Sequence, residues 1–555
     1  MSDNVDTTKE VAEALAKAQL NFVPGGSPVE RDTVSLTDEQ ERVVNYILEG
    51  RSMFLTGRAG TGKSFTLRHV IGMLPTSTTF ITATTGRAAV NIGGTTYFRF
   101  AGIGLGNGSV AYIMQRLSRQ GRANWLAART LIIDEISMMK GQMFDKLEEI
   151  ARLVRGPHFR SVAQTLHELA EDIDGVDIMG ALERKEFTGR VAKRIRSAAE
   201  SISDIELRHE LLQQEIAPVG DKQASALDSI ATRVSGLANR PFGGIQVIAC
   251  GDFFQCPPVN KKFSEDDEDA LQCFEADKWN EVFTLQVELT QVKRQSEQLA
   301  LDFVNALRES ETDRKGVVQL DQKWIELMDY LARPLKKRKD GILPTKLFCT
   351  NRDVDRENLA ELQNLPGKVQ TYLAVDAGRD PWRKDMETHC IAPSELKLKV
   401  GAQVMLIKNH ASNPQLVNGS RGVVVRFEMD ALDPTCKAPL PVVKFKNGDE
   451  EMIRYETWEI QDQAARPLAS RTQVALKLAW CQTCHNAQGQ TLNYVEVHIA
   501  DAFDYGLAYV ALTRFTSLTG LRIVNYNVQR IRNNPRVVHF NKLLRERPEN
   551  QAIGA

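Results

Sequence analysis

Between about residue 36 and Gly156, short apolar runs alternate with stretches whose apolar residues recur every three or four positions. The runs at 53–56, 80–83 and 131–134 have strand length and are apolar almost throughout, as expected of strands covered on both faces, and the stretches between them have helical spacing. Together they predict a doubly wound parallel sheet whose ligand crevice opens at the carboxyl ends of the strands. From 157 to about 239 the pattern changes to charged helix, with Leu227, Ile230, Val234 and Leu237 in helical phase and Gly175, Gly180 and Pro218 as breaks. Strand character resumes at 243–250 and runs into Gly251-Asp-Phe-Phe-Gln255. A second α/β pattern starts near Leu285 and returns after Gln473, with strands at 347–350, 494–499 and 521–525. The chain between them is strand-rich, with a strand at 423–427 and a hairpin pairing 442–445 with 451–455 around Asn447-Gly448.

These patterns divide the chain into a mobile leader at 1–35, a first α/β domain at 36–156 plus 239–289, and a helical insertion at 157–238. A second α/β domain follows at 290–394 plus 467–545, with a small barrel-like β module at 395–466 inside it and a tail at 546–555. The insertion carries a net charge of about −4, which argues against a phosphate grip. It reads as a passive elaboration, or as a bracing or protein-partner surface.

The first strand feeds Gly57-Arg-Ala-Gly-Thr-Gly-Lys-Ser64, the spacing G-x-x-x-x-G-K-[ST], and a helix follows. Gly57, Gly60 and Gly62, with Ala59 and Thr61 between them, let backbone N–H groups close on phosphate oxygens while the helix turns its positive end to the anion. Lys63 would supply charge to the β- and γ-phosphates and Ser64 a hydroxyl to Mg²⁺. The next requirement is a carboxylate on a neighbouring strand, and Leu131-Ile-Ile-Asp134-Glu135 provides it. Asp134 at the strand end suits Mg²⁺, and Glu135 can polarise a water, which favours hydrolysis over transfer. Gln255, also at a strand end, reads as a γ-phosphate sensor. The motifs therefore predict an NTPase using ATP and Mg²⁺.

The balance of the chain changes this little. Of its 555 residues 42% are hydrophobic and 25% charged, and the net charge is −1, so a polyanion would have to be held by a local patch. No run of eighteen apolar residues occurs and the N-terminus, MSDNVDTTKE, is acidic, so a nuclear or cytoplasmic protein with no membrane partner is expected. Eight cysteines suit a reducing compartment. Cys481-Gln-Thr-Cys484-His485 matches a haem-attachment pattern, but there is no export signal, and no second ligand pair lies at zinc-finger spacing. Neither haem nor zinc is expected. The basic run at 336–339 is a solvated loop, a phosphate contact or a nuclear address.

Ten segments in order, LTDEQ, GRAGTGKS, TTGRAAVNIGGTT, IIDEISM with FDKLEEIARLVR, GGIQVIACGDFFQCPPV, LTQVKRQ, CTNRDVDRENL, LVNGSRGVV, HNAQGQTL and AYVALTR, resemble the superfamily 1B DNA helicases of the Pif (petite integration frequency) type, with RecD a more distant relative. The likeness covers about 36–545 apart from the insertion. It implies two RecA-like domains of P-loop NTPase type and an SH3-like β module. It implies an ATP-dependent helicase that moves 5′ to 3′ on single-stranded DNA and at junctions with duplex, acts in replication, repair, recombination or telomere maintenance, and works as a monomer. A wedge is implied at about 100–125. Carried over by residue, Gln40 reads the adenine edge, Gly489 lines the nucleotide, and Arg294 and Arg514 act as arginine fingers. The implied DNA contacts are Thr84, Thr96, Phe98, Asn351, Arg352, Asn418, His485 and Gln488, with Cys481 and Cys484 as packing residues.

The chain departs from the family pattern at Phe98, where His is expected, at Asn486-Ala487 for Lys-Ser, and at Leu507 for Gln. These departures fall on DNA-facing or coupling positions and leave the hydrolytic set intact. They motivate an alternative reading from another class, an ATP-switched nucleic-acid clamp or partner-binding ATPase that does not unwind. ATP hydrolysis with DNA present but no strand displacement on any tailed substrate would favour that alternative.

Overall fold

The computed structural model describes residues 36–551 apart from 175–180, 203–204, 259–270, 293–296, 337–342, 381, 411, 414, 417, 432–437, 446 and 462–466. The leader, Arg294 and most of the basic run at 336–339 lie outside the described residues.

Strands β1 (Met53–Gly57), β2 (Thr79–Ala83), β3 (Thr95–Thr96), β4 (Thr130–Asp134), β5 (Gln246–Cys250) and β6 (Leu285–Leu289) form one parallel sheet in the order β3-β2-β4-β5-β1-β6. Every residue of β1, β4 and β6 is buried, because helices cover both faces. Met53 and Leu55 face Val43, Val44 and Ile47 of the helix Asp38–Leu48 and Leu67 and Val70 of the helix Lys63–Ile71. Phe54 points the other way into an aromatic cluster, with its ring 5.0 Å from that of Trp279 and 5.3 Å from that of Phe253. The run near Leu285 pairs residue for residue with β1, in keeping with the first domain's bounds of 239–289, and does not open the second α/β pattern. It is the edge strand of the first sheet, since an apolar run shows that a strand is buried but not which neighbour it joins.

The chain does not break on entering the insertion. One helix of 34 residues, Gly141–Asp174, passes through Pro157 and spans about 50 Å. Its first half buries Phe144, Leu147, Ile150 and Val154 in the lobe's core, and its second half buries Phe159, Ala163, Leu166 and Leu169 in a separate core. Burying four such side chains on each side of the proline outweighs the roughly 3 kcal/mol that a mid-helix proline costs. Helices Ala181–Ser201, Ile205–Glu215 and Asp221–Leu237 complete this second core, and Leu227, Ile230, Val234 and Leu237 are buried as their phase predicts.

The second parallel sheet joins β7 (Thr345–Phe348), β8 (Cys481–Thr483), β9 (Val495–His498) and β10 (Leu521–Asn525) in the order β8-β7-β9-β10. The β-rich unit is wider than 395–466. Its five-stranded antiparallel sheet includes Leu476–Leu478, its three-stranded sheet uses Val375–Gly378 and Pro467–Val474, and Gln370–Leu373 pairs with Glu395–Leu398. The expected hairpin is present, with Val442 opposite Met452 and Gly448 at φ 96° in its turn. The described part of the stretch read as a tail is docked. Asn550 accepts from the Glu288 N–H at 2.9 Å and donates to the Gln286 carbonyl at 2.9 Å, so it satisfies the free edge of β6 as a neighbouring strand would.

Arg155 secures the root of the long helix. Its guanidinium is buried and donates to the carbonyls of Gly243 at 2.8 Å, Trp125 at 2.6 Å and Ala128 at 2.8 Å. Burial lowers it to about 10. These bonds tie the helix Arg119–Ala127 and the turn before β5 to one point. Arg155→Met, which strands those carbonyls, is expected to cost about 3 kcal/mol, read as a lower urea midpoint of unfolding.

Candidate active site

Three loops leave the carboxyl ends of neighbouring parallel strands. After β1, Gly62 caps the helix Lys63–Ile71 with φ 86°, and a Cβ there would meet the Gln40 amide nitrogen at 2.6 Å. Gln40 is held by a capping box with Thr37 and donates to the Thr61 carbonyl at 3.3 Å, so it sits on the loop as expected. Ala59 and Thr61 are buried beneath the loop, and Gly57, Gly60 and Gly62 all adopt positive φ. Lys63 Nζ donates to the carbonyls of Gly57 at 2.7 Å and Arg58 at 3.0 Å. Burial lowers its affinity for a proton, and Asp252 opposes that shift. Ser64 follows in the first helical turn.

After β4, Asp134 is buried and pushed up to about 7, first by burial and then by the Glu135 charge beside it. Its Oδ1 accepts from the Glu135 N–H at 2.9 Å. Glu135 has φ 54°, left-handed backbone at a residue with a Cβ, a conformation that costs on the order of 1–2 kcal/mol. It is held there by Thr84, whose hydroxyl donates to the Glu135 carbonyl at 2.9 Å, and by Gln488, whose amide donates to Glu135 Oε2 at 2.8 Å. Both had been expected on DNA. The structure turns them toward the general-base candidate, Gln488 being buried and Gly489 lying against the Glu135 carboxylate.

After β5, the Asp252 carboxylate accepts from the Phe254 N–H at 3.2 Å and the Gln255 amide at 3.3 Å. Gln255 is buried, and its Oε1 has no hydrogen-bond partner among the described residues.

The second lobe closes on this cluster. Arg514 is 1% exposed and donates to the Val510 carbonyl at 2.8 Å. Burial lowers it, and the charge of Glu135 acts against that, which places the guanidinium within the field of the carboxylates. Tyr509 lies in the same segment, and its hydroxyl accepts from the Ala59 N–H at 3.5 Å. Gly506 has φ 72°, and a Cβ there would come within 2.4 Å of the Gln255 carbonyl, so only glycine permits this approach. Lys63, Asp134, Glu135, Gln255 and Arg514 are thus brought together, and Arg294 lies outside the described residues.

Sequence reasoning overlooked Tyr509, Asp252 and Arg308. The Arg308 side chain is 1% exposed and donates to Asp252 at 2.6 Å and Glu288 at 3.2 Å. A signal existed, because Phe303, Val304, Leu307 and Arg308 share the buried face of the helix Gln298–Glu309, and a charge in the apolar phase calls for partners.

The remaining DNA candidates lie apart. Asn351 and Arg352 are exposed at the start of the helix Asn351–Asn364, and Asn418 is half-buried in the β-rich unit. Thr96 caps the helix Tyr97–Ala101, with Phe98 half-buried and its ring 4.1 Å from that of Tyr97. His485 is half-buried, and burial lowers its imidazole. Cys481 and Cys484 are buried in apolar clusters. Two of the four departures, Ala487 and Leu507, are also fully buried. As buried side chains they are packing residues, which is compatible with the coupling part of the expectation and gives them no exposed surface of their own.

A family model described as PIF1-like helicase matches residues 35–160 and 182–310, and one described as DNA helicase Pif1, 2B domain, matches 383–427. The chain is 35% identical over 509 residues to the ATP-dependent DNA helicase PIF1 of Xenopus laevis, covering 91% of the chain and 64% of that relative. The human protein of that name gives the same identity and also 64% coverage, so the chain spans just under two thirds of these relatives. The crystal structure of Pif1 helicase from Candida albicans is similar over 92% of this chain and all of that one, at 32% identity and TM-score 0.70. The Bacteroides Pif1 helicase in complex with ADP-AlF3 and single-stranded DNA shares the fold, with TM-score 0.62 at 23% identity over 93% of this chain and 99% of that one. Matched across both sheets and the β-rich unit, the chain belongs to the PIF1-like helicase family.

Proposed function

We propose that this chain is an ATP-dependent DNA helicase driven by closure of two lobes on one nucleotide. The observation that carries the reading is the meeting of Lys63, Asp134, Glu135 and Gln255 from one sheet with Arg514 and Tyr509 from the other. Lys63 and the loop amides bind phosphate, Glu135 orients the attacking water, and Gln255 senses the γ-phosphate. Arg514 stabilises the charge that builds on the phosphoryl group, and it does so only when the lobes are together, which links hydrolysis to cleft motion. Arg294 is assigned the same role by resemblance.

Mg²⁺ fits the donors present. The Ser64 hydroxyl and the Asp134 carboxylate would offer it hard oxygens, and the charge of Glu135 beside buried Asp134 leaves that carboxylate short of positive charge. Bound there, the ion would neutralise phosphate charge.

Nucleic acid has a local basic patch despite the chain's overall balance. Between Gly50 and Ile133 there is no Asp or Glu and there are ten Lys or Arg, of which Arg99, Arg116, Arg119 and Arg122 are exposed around the segment read as the wedge. A single strand would cross both sheets past Phe98, Asn351, Arg352 and His485, held with little base preference. The 5′ to 3′ polarity and the monomeric state follow the resemblance. The insertion, built on a helix continuous with the first lobe, is assigned a bracing role. No helix among the described residues is long and apolar enough to cross a membrane.

Asn486 is exposed where the family carries a cation, and this favours weakened DNA grip as a second reading. Asn486→Lys is expected to tighten single-strand binding severalfold and to steepen its salt dependence by about one counterion, checked by fluorescence anisotropy titrations at several salt concentrations. Lys63→Ala is expected to abolish both DNA-stimulated ATP hydrolysis and displacement of a 5′-tailed duplex, whereas the wild type leaves a 3′-tailed duplex intact. Unwinding that survives Lys63→Ala would show the motor site to be elsewhere.

A further inference from the structure

Arg308 has a stronger claim on the reaction than its distance along the chain from every nucleotide motif suggests. Its guanidinium lies 4.3 Å from the ring centroid of Phe254, immediately before Gln255. One arm donates to Asp252 Oδ1 at 2.6 Å, and the other to Glu288 at 3.2 Å and Asn541 at 3.3 Å. Its charge also acts on the Tyr509 hydroxyl, which accepts from the Ala59 N–H in the phosphate loop at 3.5 Å. The other oxygen of Asp252 accepts from the Gln255 amide at 3.3 Å, and this leaves Gln255 Oε1 buried with no partner among the described residues. A carboxylate held on one side by a rigid fork can hold its other partner in one orientation. A glutamine so held presents a free carbonyl oxygen, the group needed to accept from a water or to sense a phosphate environment.

From this geometry we propose that Arg308 is a positioning residue for hydrolysis: it fixes Asp252, and Asp252 aims Gln255. The inference rests on the ATPase reading above. Its competitor is a purely structural role, because Arg308 also joins β6, the helix Pro535–Arg545 and the second lobe. Glu288 accepts from Arg545 at 2.8 Å, and Arg545 continues to Glu309 at 2.7 Å and thence to Arg58 in the phosphate loop. A pillar of this kind would affect the amount of folded enzyme. A positioning residue affects turnover, and only through Gln255.

A double-mutant cycle separates the two, with folded enzyme counted by binding of a fluorescent ATP analogue. Arg308→Lys keeps the charge but loses the fork, and is expected to lower kcat by about 10- to 100-fold while KM for ATP stays within about threefold. In a Gln255→Ala background the same substitution is expected to change kcat by less than about twofold, since residues that act as one unit do not add. Should Arg308→Lys fail to fold, Asp252→Asn, which keeps the shape of the side chain, probes the same link with the same two expectations. Equal losses in both backgrounds, or an unchanged kcat in the single variant, overturn the inference while wild-type hydrolysis stands. A wild type that does not hydrolyse ATP overturns the functional reading with it.

Discussion

The constraint on which this molecule turns is a concentration of negative charge at the ends of buried strands. Asp134, Glu135, Asp252 and Glu288 lie in or next to low-dielectric surroundings, and two like charges 4 Å apart repel by about 4 kcal/mol even at an effective dielectric of 20. Such a cluster stands only if cations reach it, and they come from different parts of the chain. Lys63 arrives from the phosphate loop, Arg308 from a helix after the first sheet, and Arg514 from the second lobe. The two lobes are therefore held together by the charges that the proposed hydrolysis would use, and a bound nucleotide with its own phosphates would redistribute them. This gives a physical reason for chemistry and lobe contact to be coupled without a dedicated relay.

Glu135 shows the same coupling at one residue. Its left-handed backbone stores strain, and the groups that hold it come from two directions: Thr84 from the end of β2 and Gln488 from the second lobe. Gln488 is three residues from His485, on the segment that bears the DNA-facing candidates. A shift of that segment would move the amide that orients the Glu135 carboxylate. Strain at an active-site residue persists only where its surroundings over-determine it, and here part of that determination is supplied by the other lobe.

The sequence made the fold legible wherever the signal was local. Continuous apolar runs marked the strands, helical phase located the buried face of Asp221–Leu237, and Asn447-Gly448 located its hairpin, because each depends on residues a few positions apart. The phosphate loop and Asp134-Glu135 were legible for the same reason. What was lost depends on pairing across long separations. The exact pairing of β6 with β1, the reach of the β-rich unit to Gln370 and Leu478, and the docking of Asn550 on Gln286 are properties of partners far off in the chain. Pro157 makes a related point. A proline's local cost is visible in the sequence, whereas the two cores that outweigh it are not.

The departures from the family pattern divide along similar lines. Position in a motif suggested that all four touch DNA or its coupling, yet Ala487 and Leu507 are buried side chains among other apolar groups. A hydroxyl at 487 or an amide at 507 would need a partner inside the core, and an unpaired one costs on the order of 1–3 kcal/mol. The apolar residues are thus the substitutions this core accepts. Asn486, which is exposed, and Phe98, which is half-buried, are the members with surface of their own to offer the proposed nucleic-acid contact. Of these Asn486 lacks a charge, while Phe98 retains an aromatic face on which a base can stack. In the proposed function, the grip on the strand would therefore change at one cation, and the charge cluster assigned to hydrolysis is left as it was.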